Sequence, residues 1–445
     1  MSRKMKDSGV EWIGEIPSDW KILRLKNVLK ERNEKNSPIK TNEILSLTIE
    51  KGVIPYKEKK SGGNKAKEDL SNYKLAYPND IVLNSMNVIV GAVGISKYYG
   101  CVSPVYYVLY SDDVEQNIRF YNYLFQSSAF QKSLIGLGNG IMMKQSSTGK
   151  LNTIRLRIPL DRLKNVYLPV PPVSVQQKIV NFLDEKVSHI DTIIEKNKQS
   201  IEELKKYKQS LIAETVTKGL DPNVEMKDSG IEWVGEIPKH WEIRRLRDIS
   251  IITRGTVDKS KEKNEIPVYL VQYTNVYYKR EQKINDDDYL PITVSENEYK
   301  KYKVRKGDIL LTASSETKDD IGHSTVIVED LPNHVFGSDI IRIRIPNKIV
   351  DLNYKKYFME NYYYLAKFDK LSRGITRFRF GMDQFKSLKY VIPPIEEQVK
   401  IAKYLDNITN HINQLICNKE KLINELESYK KSLIYEYVTG KKEVM

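Results

Sequence analysis

Much of this chain is written twice, and that repeat limits its fold more than any other feature. Residues 5–20, MKDSGVEWIGEIPSDW, return at 226–241 as MKDSGIEWVGEIPKHW, a shift of 221. Residues 168–184, LPVPPVSVQQKIVNFLD, return at 390–406 as YVIPPIEEQVKIAKYLD, a shift of 222. ELKKYKQSLIAETVT (203–217) and ELESYKKSLIYEYVT (425–439) follow at the same shift. Between these matches the halves diverge, leaving echoes such as YPNDIVLN (77–84) against RKGDILLT (305–312). A duplicated scaffold carrying two different surfaces is the economical reading. It divides the chain into a globular domain over 1–172, a helical segment over 173–219, a second globular domain over 220–394 and a second helical segment over 395–445.

The well-matched segments read as long helices. Leu183, Ile190, Leu204 and Leu211 share one heptad position, and Val187, Ile194 and Ile201 share another, which makes a coiled-coil seam. Leu405, Ile412, Leu426 and Leu433, with Ile416 and Ile423, repeat it in the second copy. Asn197 and Lys419 interrupt the seam at the same height, a device that can fix register. Pro171 and Pro172 disfavour helix before them, and Ser174 with Gln177 reads as a capping box. Glu396 and Glu397 put negative charge on the first turn of the second helix, and Gly219 and Gly440 stand where C-terminal caps belong. A helix over 175–217 would be about 65 Å long. One apolar stripe of that length needs a partner, and the other copy is linked to it. The second globular domain directly follows the first helix, and the second helix leaves that same domain. The helices are therefore expected to run antiparallel with a globular domain at each end of the pair, and the opening repeat should lie beside the end of the second helix.

The globular segments mix short β-type runs with turn residues. IPVYLVQYT (266–274), GDILLTAS (307–314), STVIVED (324–330) and DIIRIRI (339–345) read as strands in the second, and IVLNSM (81–86) and SPVYYVLY (103–110) in the first. Residues 117–134 and the tyrosine-rich 354–368 read as helices. The fold class expected is α+β: two pseudo-repeated domains, each with a curved sheet and each followed by a long helix, the helices pairing as an antiparallel coiled coil.

Lys and Arg number 72 against 58 Asp and Glu, a net +14, which points to a polyanion, nucleic acid first. Base edges are read by Arg, Lys, Asn and Gln, with Ser and Thr helping. SRGITRFRFG (372–381) gathers Arg373, Thr376, Arg377 and Arg379 around Gly374, and ASSETKDD (313–320) carries Ser315, Thr317 and Lys318 after a strand. The candidates in the first domain are Asn84 and Asn87, Lys144 and Gln145 in MKQSSTGK (143–150), and Lys59 and Lys60 in YKEKKSGGNKAK (56–67). A solvated charged loop is the competing reading of each; for the stretch around Arg377, DNA is favoured.

Catalytic constellations are missing. The Pro-Pro pairs, PVPPV and VIPPI, lack the flanking residues of an amino-methyltransferase tetrapeptide, and no GxxxxGK[ST] phosphate loop occurs. GLGNG (136–140) reads as a flexible loop rather than a cofactor cradle. The five histidines have no metal-ligand spacing, and two cysteines, Cys101 and Cys417, give no disulfide framework, which suits a reducing cytoplasm. No run approaches the eighteen or so apolar residues of a membrane span.

The arrangement resembles the specificity subunits of type I restriction–modification systems over essentially the whole chain. The resemblance is carried by MKDSGVEWIGEIPSDW and its copy, GDILL (307–311), IPPIEEQVKIAKYLD (392–406) and SYKKSLIYEYVTG (428–440). The first copy departs from this pattern, with Val175 where the second has an acid. The resemblance implies a non-catalytic subunit whose two domains each read half of a bipartite duplex target, with the helices as a ruler for the unread spacer. It implies two methylase subunits and restriction subunits as partners, with S-adenosylmethionine, ATP and Mg on those partners and no cofactor here. The alternatives are the specificity module of a related system whose partner fuses methylase and nuclease, and a coiled-coil interaction scaffold.

Overall fold

The computed structural model describes residues 3–49, 51–59, 66–141, 155–259, 261–279, 281–283, 289–317, 320–359, 372–374 and 377–444. It divides into two compact units. Unit 1 is Met1–Asn197 with Glu420–Met445, and unit 2 is Lys198–Lys419. The spatial unit is thus not the sequence repeat. The long helices, Val173–Lys218 and Ile395–Val438, each give one part to either unit.

Within each unit the two helix segments run antiparallel. In unit 1 Phe182 packs on Tyr437, with ring centroids 4.5 Å apart, and Lys430 Nζ donates to Asp191 at 2.6 Å. In unit 2 Lys208 Nζ donates to Asn413 Oδ1 at 2.9 Å, while Ile212 and Val216 share a core with Ile401 and Leu405. Burial of the apolar stripe is what holds such helices in place.

The globular regions share a sheet order. In unit 1 the strands run Lys30–Glu31, Tyr106–Tyr110, Ile81–Asn84, Val93–Ile95, all antiparallel. In unit 2 they run Ile251–Arg254, Ile340–Arg344, Asp308–Thr312, Ser324–Ile327, with Glu281–Gln282 added parallel at the edge. The NDIVL and GDILL echoes enter the third strand of each in one way. Asn79 (φ 72°) and Gly307 (φ 85°) take the left-handed turn that Asn and Gly tolerate. The next residue, Asp80 or Asp308, is buried and accepts the N–H three residues back, from Tyr77 or Arg305, at 2.8 Å in both. An arginine grips each carboxylate through two bonds, Arg32 at 2.8 and 3.1 Å and Arg344 at 2.7 Å twice. These acids are scaffold.

The PP-x-x-x-Q segment fastens each globular region to its helix. Gln176 and Gln398 are fully buried. Gln176 accepts the Asn117 N–H at 2.7 Å and donates to the carbonyls of Pro171 and Glu115. Gln398 accepts the Asp351 N–H at 2.7 Å and donates to the carbonyls of Pro393 and Ile349. Two turns on, Asp184 accepts from the Tyr123 hydroxyl at 2.8 Å and Asp406 from Tyr357 at 2.6 Å. The helices stop at glycines with positive φ, Gly219 and Gly440. A Cβ on Gly440 would stand 2.5 Å from Pro17 and 3.0 Å from Trp20; one on Gly219 would stand 3.1 Å from Trp241. The opening repeat does therefore pack on the end of the second helix, as 226–241 packs on the first.

Some local expectations changed. The first long helix begins at Val173, so Ser174 lies inside it and the capping box does not form; Gln177 bonds Asn181 and Asn117 instead. The strand expected over 266–274 ends at Val271, and Tyr273–Tyr278 is a helix. The helix over 117–134 is two, Ile118–Gln126 and Ser128–Ser133, with Ser127 between as N-cap. GLGNG includes the start of a strand, Asn139–Ile141. Among the described residues no helix is long and apolar enough to cross a membrane.

Candidate nucleic-acid interface

In unit 2 a small sheet orders the strands Ser314–Ser315, Phe378–Phe380 and Ser372–Arg373. Arg379 stands opposite Ser314 on one side and Arg373 on the other. Gly374 makes the approach possible: its φ is 137°, and a Cβ there would lie 2.1 Å from the Arg377 carbonyl oxygen. Arg377 is held from behind. Its Nη2 donates to Asp339 Oδ2 at 2.6 Å, and Nε and Nη2 reach Ser314 Oγ at 3.3 and 3.2 Å. Nη1 makes no bond to a described residue. Asp339 itself has φ 60°, an uncommon conformation for a residue other than glycine.

Beside this sheet lies a cavity of about 480 Å³, lined by Tyr273, Tyr277, Ser314, Ser315, Thr317 and Arg377 among others. Tyr273 and Tyr277 stack at 5.9 Å. Tyr277 donates to Asp320, which also meets His323 at 2.8 Å. The bond to the Asp320 carboxylate raises the Tyr277 pKa, and burial raises that of Tyr273, so both stay neutral donors. Hydroxyls, an aromatic face and a fixed guanidinium on one concave wall match what base edges and phosphates bind.

The candidates from the sequence are scattered more widely. Ser315 is buried and Thr317 exposed, both at the cavity; Arg373 and Arg379 are exposed on the sheet next to Arg377. In unit 1 Asn84 ends the third sheet strand and accepts the Met86 N–H, and exposed Asn87 follows it. That is where Ser314–Ser315 follows the third strand of unit 2. Lys59 is apart, its amino group 5.7 Å from the Tyr56 ring centroid. Lys60, Lys144, Gln145, Lys318 and Thr376 lie outside the described residues. Of the seam residues, Leu183, Ile190, Ile194, Ile201, Leu405, Ile412, Ile423 and Leu433 are buried, and Leu204, Leu211, Ile416 and Leu426 half-buried. No group of three or more His, Cys, Asp or Glu among the described residues is placed to hold a metal ion. Burial pushes the Cys101 thiol up to about 11, which leaves it protonated and inert.

The model of the type I restriction modification DNA specificity domain matches the chain twice, over 17–205 and 238–428. The chain belongs to that family. Among its specificity-subunit relatives, that of MjaVIII from Methanocaldococcus jannaschii is 25% identical over 96% of this chain and 94% of its own. That of EcoKI from Escherichia coli is 20% identical over 59% of this chain and 56% of its own. A solved chain from a study of complex assembly and conformational transition in a type I R-M system shares the fold. Its TM-score is 0.70 at 15% identity, covering 96% of this chain and 99% of that one. Each copy of the specificity domain begins at the proline of a repeated EIP and runs into its own long helix. As a specificity subunit the protein recognises DNA and is not itself the catalyst.

The sequence reading missed one feature of this specificity subunit. The shift of 222 that relates the two helix starts also lays RLR (155–157) on RFR (377–379). Arg155–Arg157 is a strand, as Phe378–Phe380 is.

Proposed function

We propose that each globular region of this specificity subunit reads one half of a bipartite duplex target, and that the paired helices fix the unread spacer between the halves. Methylase subunits dock on the assembly, and restriction subunits join it. S-adenosylmethionine, ATP and Mg act on those partners, and the complex works in the cytoplasm. The observation that carries the reading is Arg377, pinned by Asp339 and Ser314 at the rim of a cavity lined with hydroxyls. A guanidinium fixed in advance loses little entropy when it meets guanine, the commonest specific contact.

Arg377→Ala is expected to cost roughly 1–3 kcal/mol and to relax one position of one half-site. The assay is methylation or binding by the assembled complex on single-base variants of both half-sites, at two salt concentrations. An even loss across all sequences with a smaller salt slope would assign Arg377 to phosphate instead. Absence of salt-dependent duplex binding by the complex would favour the interaction-scaffold reading.

A further inference from the structure

We infer that Arg157 and Asn139, on a hairpin of unit 1, are base-reading residues of that unit's half-site, the counterparts of Arg379 and Arg373 in unit 2. The inference rests on the reading of Arg377 and its sheet given above, and extends it to a surface the sequence candidates did not include.

Three observations carry it. The first is register. Arg157 and Arg379 are related by the same shift, 222, that relates Gln176 to Gln398 and Asp184 to Asp406. The backbone agrees. The residue after Arg157, Ile158, donates its N–H to the Ser85 carbonyl at 2.9 Å; the residue after Arg379, Phe380, donates to the Ala313 carbonyl at 3.4 Å. Ser85 and Ala313 each directly follow the third strand of their sheet. Both strands therefore leave the core at the same point of the fold.

The second is the face presented. Leu156 and Ile158 are buried, at 3% and 0% exposure, while Arg157 between them is exposed. Alternation in a strand thus aims Arg157 outward. Asn139 stands directly opposite Arg157, as Arg373 stands opposite Arg379. Asn139 is exposed as well. Neither side chain bonds to a described residue.

The third is chemistry. Like charges directly across an antiparallel pair destabilise it. Arg373 and Arg379 are such a pair, and the Asp339 carboxylate, 4.0 Å from Arg379, is closer to Arg377. An anionic surface over the hairpin would relieve the repulsion. In unit 1 the pair is Arg with Asn, the side chains that bond bidentately to guanine and adenine respectively. The two hairpins share a frame and differ in their reading residues, as a subunit with two unlike half-sites requires.

The test uses the assembled methyltransferase complex carrying Arg157→Ala, Arg157→Lys, Asn139→Ala or Arg379→Ala. Genomic methylation is mapped, and binding is measured on single-base variants at two salt concentrations. Arg157→Ala and Asn139→Ala are expected to relax positions in one half-site, each losing about tenfold or more of the preference there, and Arg379→Ala a position in the other. Arg157→Lys keeps the charge and should not restore the preference. An even loss across sequences with a smaller salt slope, restored by Arg157→Lys, would make Arg157 a phosphate contact and overturn the inference. If Arg379→Ala changes its half-site while Arg157→Ala and Asn139→Ala change nothing, the equivalence of the hairpins fails and the proposed function stands. If none of the variants changes any position, the hairpin reading fails in both units.

Discussion

The two junctions between globular region and helix share their main bonds but are not held equally. Each buries a glutamine, Gln176 or Gln398, that bonds one N–H and two carbonyls of its own unit. Each ties an aspartate to a tyrosine and a cation. Asp184 takes Tyr123 and Arg119; Asp406 takes Tyr357 and Lys356. The cation stands four residues before the tyrosine in unit 1 and one before it in unit 2, so the charge persists while its position has moved. The junctions part at tryptophan. Trp241 Nε1 donates to Glu397 at 2.9 Å, and His240 meets the other carboxylate oxygen at 2.6 Å. In unit 1 Val175 and Asp19 stand at the positions of Glu397 and His240, and Trp20 Nε1 is buried with no hydrogen-bond partner among the described residues. Connectivity differs too. In unit 2 the end of the first helix runs through Gly219 directly into residues 226–241; in unit 1 the end of the second helix meets the opening repeat across 423 residues of sequence, where the Tyr435 hydroxyl donates to the Trp12 carbonyl. The glutamine and aspartate bonds are duplicated, while the tryptophan–glutamate bond is present in unit 2 and missing in unit 1.

The largest effect should fall on the shared part. Gln176→Leu and Gln398→Leu each strand an amide and two carbonyls in a buried site, at a cost of roughly 3 kcal/mol or more. Denaturant unfolding followed by hydrogen exchange in each unit measures it. Costs that differ by more than about 1 kcal/mol would mean that the two locks are not equivalent. The next effect concerns connectivity. A chain joined from Lys442 to Lys4 by a short linker and opened near Pro222 exchanges the covalent junction for the non-covalent one. Amides of 5–17 should then exchange more slowly and those of 226–238 faster, by similar factors. Unchanged protection in both would show that the non-covalent junction already holds as firmly as the covalent one.

How far the sequence reached depends on how local each cause is. The heptad seam was legible because one helix carries its whole pattern, and the C-terminal glycines because a single φ decides them. The expected capping box of Ser174 and Gln177 does not form. Which of Gln176 and Gln177 turns inward depends in part on the Glu115 carbonyl and the Asn117 N–H, far off in sequence. Tyr273 and Thr274 were read as the end of a strand because aromatic and β-branched residues favour strands in isolation; here the Gln272 N–H bonds the Asn275 side chain at 2.7 Å and the helix Tyr273–Tyr278 starts. Arg377 was legible as chemistry. The Asp339 that pins it was not, since it comes from a turn 38 residues away. The hairpin arginine Arg157 could have been found by carrying the repeat shift through the divergent segment.

The smallest effect, and the one most particular to the difference between the junctions, lies at the tryptophans. Glu397→Val should leave Trp241 as Trp20 is now and cost about 1–3 kcal/mol, the price of a buried donor without an acceptor. The reverse change, Val175→Glu, offers Trp20 that acceptor and adds negative charge to a helix first turn, worth about 0.3–1 kcal/mol. It also sets a second carboxylate near Asp19, where unit 2 has His240, so the single variant should gain little. Asp19→His together with Val175→Glu rebuilds the arrangement of unit 2. It should stabilise unit 1 by about 1 kcal/mol more than the two single changes summed, the coupling expected of residues in contact. Denaturant midpoints of the four combinations give that coupling, and slower exchange of the Trp20 indole N–H locates it. A double variant no more stable than Val175→Glu alone, with the indole N–H unprotected, would show that a carboxylate at position 175 does not give Trp20 the bond that Glu397 gives Trp241.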